Sequence, residues 1–211
     1  MEENTTIIIP TKNEKESIAE VISKIKSVGD YDILIVDKSE DGTAEIAKKL
    51  GARVIKQKGI GKGDAMLLGA KYARENIIFV DGDMSYEIEK IPEMIKFSEQ
   101  YDIIRGIRIP LNICGLDRFL FNSLMSFLVS MICKKPVKDL FTGFFLIKKE
   151  HFLNLHLQSK GFEIETEIFV KACKNNLRMT EIKTRYSCRR GKSKVKLLDA
   201  IKIFLTIIKC C

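Results

Sequence analysis

The chain has 211 residues, of which 45% are hydrophobic and 30% charged. That length gives one α/β domain a full core, and the composition excludes disordered and collagen-like classes. The formal charge of +8 calls for an anionic partner; nucleic acid, anionic lipid and phosphorylated small molecules all qualify.

The six cysteines, at positions 114, 133, 173, 188, 210 and 211, show no C-x-x-C spacing and follow no secretory signal. In an α/β-looking chain they read as reduced thiols of the cytosol, not as disulfides or a zinc site. His151 and His156 stand five apart, off a common helical face, which also counts against zinc. The pair Cys210–Cys211 matches no C-a-a-X lipidation pattern.

In chain order, Thr5–Ile9 is β-branched throughout and reads as a buried strand. Ile18, Val21, Ile22, Ile25 and Val28 then recur at helical spacing; Gly29 is the stop, and Asn13 followed by Glu16 a capping-box-like start. Tyr31–Val36 is the second strand, Thr43–Leu50 a helix closed by Gly51, and Ala52–Ile55 the third strand. Lys62–Arg74 is helical and Asn76–Val80 is the fourth strand. Such alternation implies parallel strands with right-handed crossovers, and ligands gather at the carboxyl ends of such strands. Those ends are Pro10–Glu14, Asp37–Asp41 and Asp81–Asp83. Three polar clusters therefore converge on one edge.

The second half differs in texture. Leu116–Cys133 is overwhelmingly apolar, with Arg118, Asn122, Ser126 and Ser130 four apart on a narrow polar stripe. Phe144–Ile147 and Arg178–Tyr186 read as strands, with a helix over Glu163–Lys174 between them. The C-terminal segment reads as an amphipathic helix carrying Asp199, Lys202, Thr206 and Lys209 on one side. Without repeats or linkers, residues 1–195 form one domain and residues 196–211 the amphipathic helix. No segment has the ~20 uninterrupted apolar residues that a spanning helix needs.

Asp81-Gly82-Asp83, directly after an apolar strand, is the sharpest chemical signal. Two carboxylates parted by glycine can share a divalent cation that also binds a diphosphate, an arrangement suited to Mg²⁺. The plainer reading is an acidic turn. Asp37 and Asp41 can accept hydrogen bonds from a nucleobase or ribose, and Asp41 also suits a cap on the following helix. Gly59–Gly63 fails the Walker spacing and follows the third strand rather than the first. It leaves a glycine-rich helix N-terminus in which Lys62 can face a phosphate, or else a flexible connector.

Arg108, Arg118, Arg189 and Arg190 suit phosphate through their planar forks. From Lys183 to Lys196 there are seven basic residues and no acid. Beside an apolar C-terminal helix, that run describes a segment lying on an anionic membrane surface.

Together these residues resemble the family 2 glycosyltransferases of the dolichyl-phosphate mannose and glucose synthase group, especially the archaeal dolichyl-phosphate sugar transferases of N-glycan assembly. The matching pieces are Ile9–Glu14, Val36-Asp37 with Asp41-Gly42-Thr43, Gly61-Lys62-Gly63, Asp81-Gly82-Asp83, Thr142-Gly143-Phe144, Gly161–Glu167 and Arg190–Lys194, in the family's order over residues 7 to 195. The resemblance implies a GT-A fold: a Rossmann-like, mostly parallel sheet with helices on both faces, plus interfacial amphipathic helices. It implies a nucleotide-diphosphate sugar, UDP- or GDP-linked, as donor, and a polyprenyl (dolichyl) phosphate as acceptor. Pro10, Thr11, Glu14, Asp37 and Asp41 fall around the nucleoside, with Lys62 on the donor side. Asp81 and Asp83 fall at the diphosphate and at a bound Mg²⁺ or Mn²⁺. Arg108, Arg118 and one of Arg189 or Arg190 match positions that hold the reacting phosphates, and Ser193 and Lys194 the end of that last motif.

Two departures stand out. The Asp37 motif is one residue shorter than usual, and Ser85 stands where mannose synthases of the group often carry a metal-binding glutamine. Asp139, Glu165 and Glu167 match acidic positions of the family, with capping or the orienting of arginines as alternative roles. The implied location is the cytoplasmic side of the cell membrane, as a peripheral, monotopic protein.

Four other readings compete. A nucleic-acid module needs aromatic residues among its basic ones, and Lys183–Lys196 offers only Tyr186. A nucleotidyltransferase needs its glycine-rich signature after strand one, where Pro10–Glu14 stands. A non-catalytic lipid-phosphate-binding relative would not need both Asp81 and Asp83; a glycosyltransferase acting on a different acceptor would.

Overall fold

The computed structural model describes residues 2–109, 115–187 and 197–210, the side chains of residues 2, 116–118 and 197 excepted. A seven-stranded sheet in the order β3-β2-β1-β4-β6-β5-β7 organises them. The strands are β1 (Thr5–Thr11), β2 (Asp32–Asp37), β3 (Arg53–Lys56), β4 (Asn76–Phe79), β5 (Ile103–Ile109), β6 (Phe145–Lys148) and β7 (Met179–Arg185). The helices are α1 (Ile18–Val28), α2 (Thr43–Lys49), α3 (Lys62–Tyr72), α4 (Ile91–Phe97), α5 (Leu116–Cys133), α6 (Lys149–Asn154), α7 (Ile164–Lys174) and α8 (Leu197–Cys210).

The expected parallel sheet is present over β1 to β4 and again between β5 and β7. Only β6 runs against its neighbours. Side chains alternate across the sheet as period two demands. Ile7, Ile9, Ile33 and Ile35 enter one core with the helices α1 and α4. Ile8, Leu34 and Val36 enter the other with α3 and α7. Both faces of the sheet are thus covered, and the polar strand ends are left at the rim.

Three elements escaped the sequence reading. α4 and α6 are only 7 and 6 residues long, too short for a clear helical period. β5 reads IIRGIRI, and its Arg105 looks like a surface residue. That arginine is buried, its guanidinium 4.2 Å from the Phe169 ring and paired with Glu181.

The capping box is also corrected. α1 begins at Ile18, with Ser17 before it. Asn13 adopts φ 55 and instead links two loops: its N–H donates to Ser39 Oγ at 2.7 Å, and its Oδ1 accepts from the Glu40 N–H at 3.1 Å.

A third core joins α5, α7 and α8 through Met125, Val129, Phe169, Val170, Ile203 and Ile207. Beside these apolar contacts, α5 also buries part of its polar stripe. Asn122 and Ser126, from its polar stripe, are buried. Asn122 Nδ2 donates to Asp139 Oδ1, Ser126 Oγ accepts from the Leu140 N–H, and Ser130 Oγ accepts from the Val137 N–H. Leu120, Leu124, Phe127 and Met131 face outward.

Candidate functional site

The site lies where β1, β2 and β4 end. The loops after β1 and β2 are stitched together. Thr11 Oγ1 donates to Asp37 Oδ1 at 2.7 Å, and the Lys38 N–H donates to the Thr11 carbonyl at 3.0 Å. Asp37 also accepts from the N–H and hydroxyl of Ser39 and is buried with Thr11 and Glu14. Asp41 accepts from the Lys15 N–H at 3.1 Å and the Thr43 N–H at 3.1 Å, so it ties the first residue of α2 to the loop after β1, while the N-cap position expected of it is held by Gly42 without a side-chain cap. Burial raises its carboxyl, but these hydrogen bonds outweigh it and hold the pKa below the ordinary value. The structure brings Pro10, Thr11, Glu14, Asp37 and Asp41 onto one rim, with Asp37 as the buried knot and Pro10 and Asp41 half-buried.

Asp81-Gly82-Asp83 follows β4 on the same rim. Ser17 Oγ donates to the Gly82 carbonyl at 2.6 Å, tying the start of α1 to this turn. Asp83 is buried, and its Oδ1 accepts from the N–H and hydroxyl of Ser85. Asp81 is more open, and its Oδ1 takes the Lys62 ammonium at 2.6 Å. Lys62 also reaches Glu165 Oε1 at 2.6 Å. Burial opposes the charge on Lys62, but Asp81 and Glu165 outweigh it and keep the ammonium protonated. Burial dominates at Glu165 and lifts its carboxyl to about 7, with Lys62 pulling the other way.

The reading of Gly59–Gly63 as a phosphate-facing helix start does not survive at its backbone. The N–H groups of Gly63 and Asp64 donate to the carbonyls of Gly161 and Lys160. Gly61 has φ 102, and a Cβ there would lie 2.1 Å from the Lys160 carbonyl oxygen. These glycines let α3 dock on the 159–161 loop, and only the Lys62 side chain points toward the acidic turn.

Arg108 of β5 is the other fixed cation. Its guanidinium grips Asp139, whose side chain has no exposed surface, and lies 5.2 Å from the Tyr186 ring. The Tyr86 hydroxyl accepts from the Gly143 N–H at 2.7 Å. Burial lifts the Tyr86 pKa well above the usual phenol value, opposed by Arg108 and reinforced by Asp81 and Asp139. The sequence reading left Asp139, Glu165 and Glu167 between two roles. Here Asp139 orients an arginine, Glu165 holds Lys62, and Glu167 caps the N–H groups of Gln158 and Ser159. Tyr86 and Arg105 were not singled out in the sequence, and Tyr186 was noted only as the aromatic of the basic run, because contacts between residues so far apart in the chain leave no local pattern.

The Arg118 side chain and Arg189, Arg190, Ser193 and Lys194 lie outside the described residues. Among the described residues no group of three or more His, Cys, Asp or Glu side chains is gathered as a metal site. What stands at the rim is a pair of carboxylates, an all-oxygen donor set of the kind hard cations take.

Residues 6–155 match the family model described as glycosyl transferase family 2. The chain belongs to that family and is a glycosyltransferase. It is 33% identical to the glycosyltransferase AglJ of Haloferax volcanii, over 96% of this chain and 70% of that one. It is 26% identical to a dolichyl-phosphate hexose transferase of the same organism, over 99% of this chain and 94% of the relative. To the dolichol-phosphate mannosyltransferase of Pyrococcus furiosus it is 29% identical, over 90% of this chain and 59% of that protein. Among solved structures, glucosyl-3-phosphoglycerate synthase of Mycobacterium tuberculosis, in complex with Mn²⁺, UDP and glucosyl-3-phosphoglycerate, superposes with a TM-score of 0.81 at 17% identity, covering 99% of this chain and 80% of that one. That likeness establishes the GT-A fold.

Proposed function

We propose that this protein transfers a sugar from a UDP- or GDP-linked donor to a polyprenyl (dolichyl) phosphate at the cytoplasmic surface of a membrane, with Mg²⁺ or Mn²⁺. The observation that carries the reading is the pair Asp81 and Asp83 at the end of β4, between the stitched β1–β2 loops and the anchored Arg108. The names of the Haloferax and Pyrococcus relatives support the acceptor, and the Mn²⁺ and UDP of the mycobacterial structure support the donor and metal.

The residues fit such a cation: both are hard oxygen ligands with only Gly82 between them, and Asp81 is partly exposed. Asp81 and Asp83 would hold it, and when bound it neutralises charge on the departing diphosphate. Thr11, Glu14, Asp37 and Asp41 shape the rim for the nucleoside. Arg108, with Arg118 and Arg189 or Arg190, holds the phosphates, and Ser193 and Lys194 close that motif. The acceptor phosphate is ionised at neutral pH, so no strong base is required. Positioning two anions against each other is the main task, and arginine forks perform it.

Incubating the purified chain with a panel of UDP- and GDP-sugars and dolichyl phosphate tests the reading. Metal-dependent formation of a sugar-linked lipid is expected. Transfer only to a water-soluble acceptor would replace the lipid reading, and no turnover with any donor would favour a non-catalytic relative.

A further inference from the structure

Lys62 sits where a cation site would not be expected to tolerate it. Its ammonium is 2.6 Å from Asp81 Oδ1 and 2.6 Å from Glu165 Oε1, with side-chain exposures of 11% for Lys62, 28% for Asp81 and 8% for Glu165. Lys62 is thus the more enclosed partner, and Asp81 keeps part of its surface open. Gly143 walls the pair in: a Cβ there would lie 2.5 Å from Asp81 Oδ2 and 2.7 Å from Lys62 Nζ. The first turn of α3 is fixed beneath it by the carbonyls of Lys160 and Gly161.

We propose that Lys62 is an electrostatic interlock that makes divalent-cation binding at Asp81 and Asp83 conditional on a nucleoside diphosphate, so that the two enter together. The inference rests on the metal and donor proposed above, and it adds an order of binding and the residue that enforces it.

The argument is one of charge. Before ligands arrive, Asp81 is already neutralised by the Lys62 ammonium, which Glu165 holds beside it. A dication at Asp81 then faces that ammonium across a single carboxylate, in a partly desolvated site where repulsion is poorly screened. A diphosphate removes the conflict. Its oxygens offer anionic partners to both cations, so Lys62 turns from Asp81 to a phosphate oxygen while keeping Glu165. Glu165 is thus a positioning residue: it keeps the ammonium in place when Asp81 is given up. Because coupling is reciprocal, the factor by which nucleotide tightens metal equals the factor by which metal tightens nucleotide.

Mn²⁺ binding to the full chain, followed by electron paramagnetic resonance without any sugar, tests this. In the wild type, weak binding of Mn²⁺ alone is expected, tightened at least tenfold by UDP or GDP. Lys62→Met should bind Mn²⁺ alone at least tenfold more tightly than wild type and lose most of the nucleotide enhancement; Lys62→Arg should keep weak binding. Lys62→Met leaves Glu165 buried without its cation, so Lys62→Met/Glu165→Gln is measured beside it, with circular dichroism confirming the fold. A wild type that binds Mn²⁺ equally well with and without nucleotide overturns the interlock, whatever the variants do. Folded variants that bind Mn²⁺ as weakly as a nucleotide-responsive wild type overturn it too, and leave Lys62 a simple phosphate ligand with the metal reading intact. No Mn²⁺ uptake by wild type with either nucleotide overturns the metal reading and the interlock together.

Discussion

The buried carboxylate of Asp139 holds Arg108 by two prongs, Nε to Oδ2 at 2.7 Å and Nη2 to Oδ1 at 2.6 Å, and also takes the Arg108 backbone N–H and the Asn122 amide. The guanidinium is thereby fixed in plane and direction beside the acidic turn. Arg108→Lys keeps the charge but loses the fork, so a roughly hundredfold fall in transfer is expected from a misplaced phosphate contact. Arg53→Lys, at an exposed pair far from the rim, should leave the rate unchanged. Equal kinetics for the two variants would reduce Arg108 to a structural partner of Asp139.

Asp139 also makes a prediction about acid. Burial raises its carboxyl, but the hydrogen bonds and charge of Arg108 outweigh that and depress its pKa below 3.8. A depressed carboxylate stabilises the fold above its unfolded value and ceases to do so as the pH falls through the folded value. Asp139→Asn strands a buried guanidinium and should cost about 3–5 kcal/mol at neutral pH. That deficit should shrink below 3.8, where the wild type loses its charge too. Urea denaturation across that range reads both quantities, and a deficit independent of pH would rule out the ion pair as its source.

Glu165 carries the opposite sign. Its carboxyl is raised from 4.5 to about 7, chiefly by burial. Between those values the folded state holds the proton more firmly than the unfolded chain, so this group's contribution to stability falls as the pH rises. The stability of Glu165→Gln relative to wild type should therefore improve from about pH 5 to about pH 7. A relative stability that worsens over that interval would show instead that Lys62 holds Glu165 ionised throughout.

The parallel half of the fold was legible because β1, β2 and β4 are buried on both faces. Ile7–Ile9 and Ile77–Val80 are continuous apolar runs, and the polar residues after them mark the rim without any tertiary information. The other half was harder to read because its determinants are long-range. Arg105 lies inside β5, and its partner Glu181 is 76 residues away. The polar stripe of α5 was visible, but which way it faced depended on Asp139 and the carbonyls and amides around it. The same holds at the site: the carboxylates at strand ends could be named, whereas the link from Lys62 to Glu165 spans 103 residues.

Asp83 separates the metal reading from the acidic turn. Its Oδ1 accepts from Ser85, so Asp83→Asn keeps an oxygen acceptor in the turn and removes only the charge. The cost in stability should stay near ~1 kcal/mol, while transfer should fall by roughly a hundredfold or more. Asp83→Ala should remove activity and leave a folded protein. Full turnover by wild type in excess chelator would sink the metal role, and a variant altered only in thermal stability would return the motif to an acidic turn.

The exposed apolar stripe of α5 bears on where the enzyme would work. Leu120, Leu124, Phe127 and Met131 are 57%, 55%, 61% and 64% exposed along one stripe. On α8, Leu198, Ile201 and Ile208 are more than half exposed, beside the exposed Lys202 and Lys209. A water-facing helix would put Asn122 and Ser126 outside and these residues inside. No described helix is long and apolar enough to cross a membrane; the function proposed above would set these apolar stripes in the headgroup region of an anionic bilayer, with the lysines at the phosphates. Removing residues 196–211 would be a poor test, because Ile203 and Ile207 of α8 are buried in the third core. Phe127→Glu and Ile201→Glu instead change only exposed positions, so stability should move by about 0.5 kcal/mol or less. Each should weaken flotation with anionic vesicles about tenfold or more, since burying one such side chain contributes about 1.5–3 kcal/mol. Binding of the wild type should fall as salt rises. A wild type that ignores anionic vesicles at low salt, or variants that float as well as wild type, would remove the membrane from the account and leave these stripes as an interface of another kind.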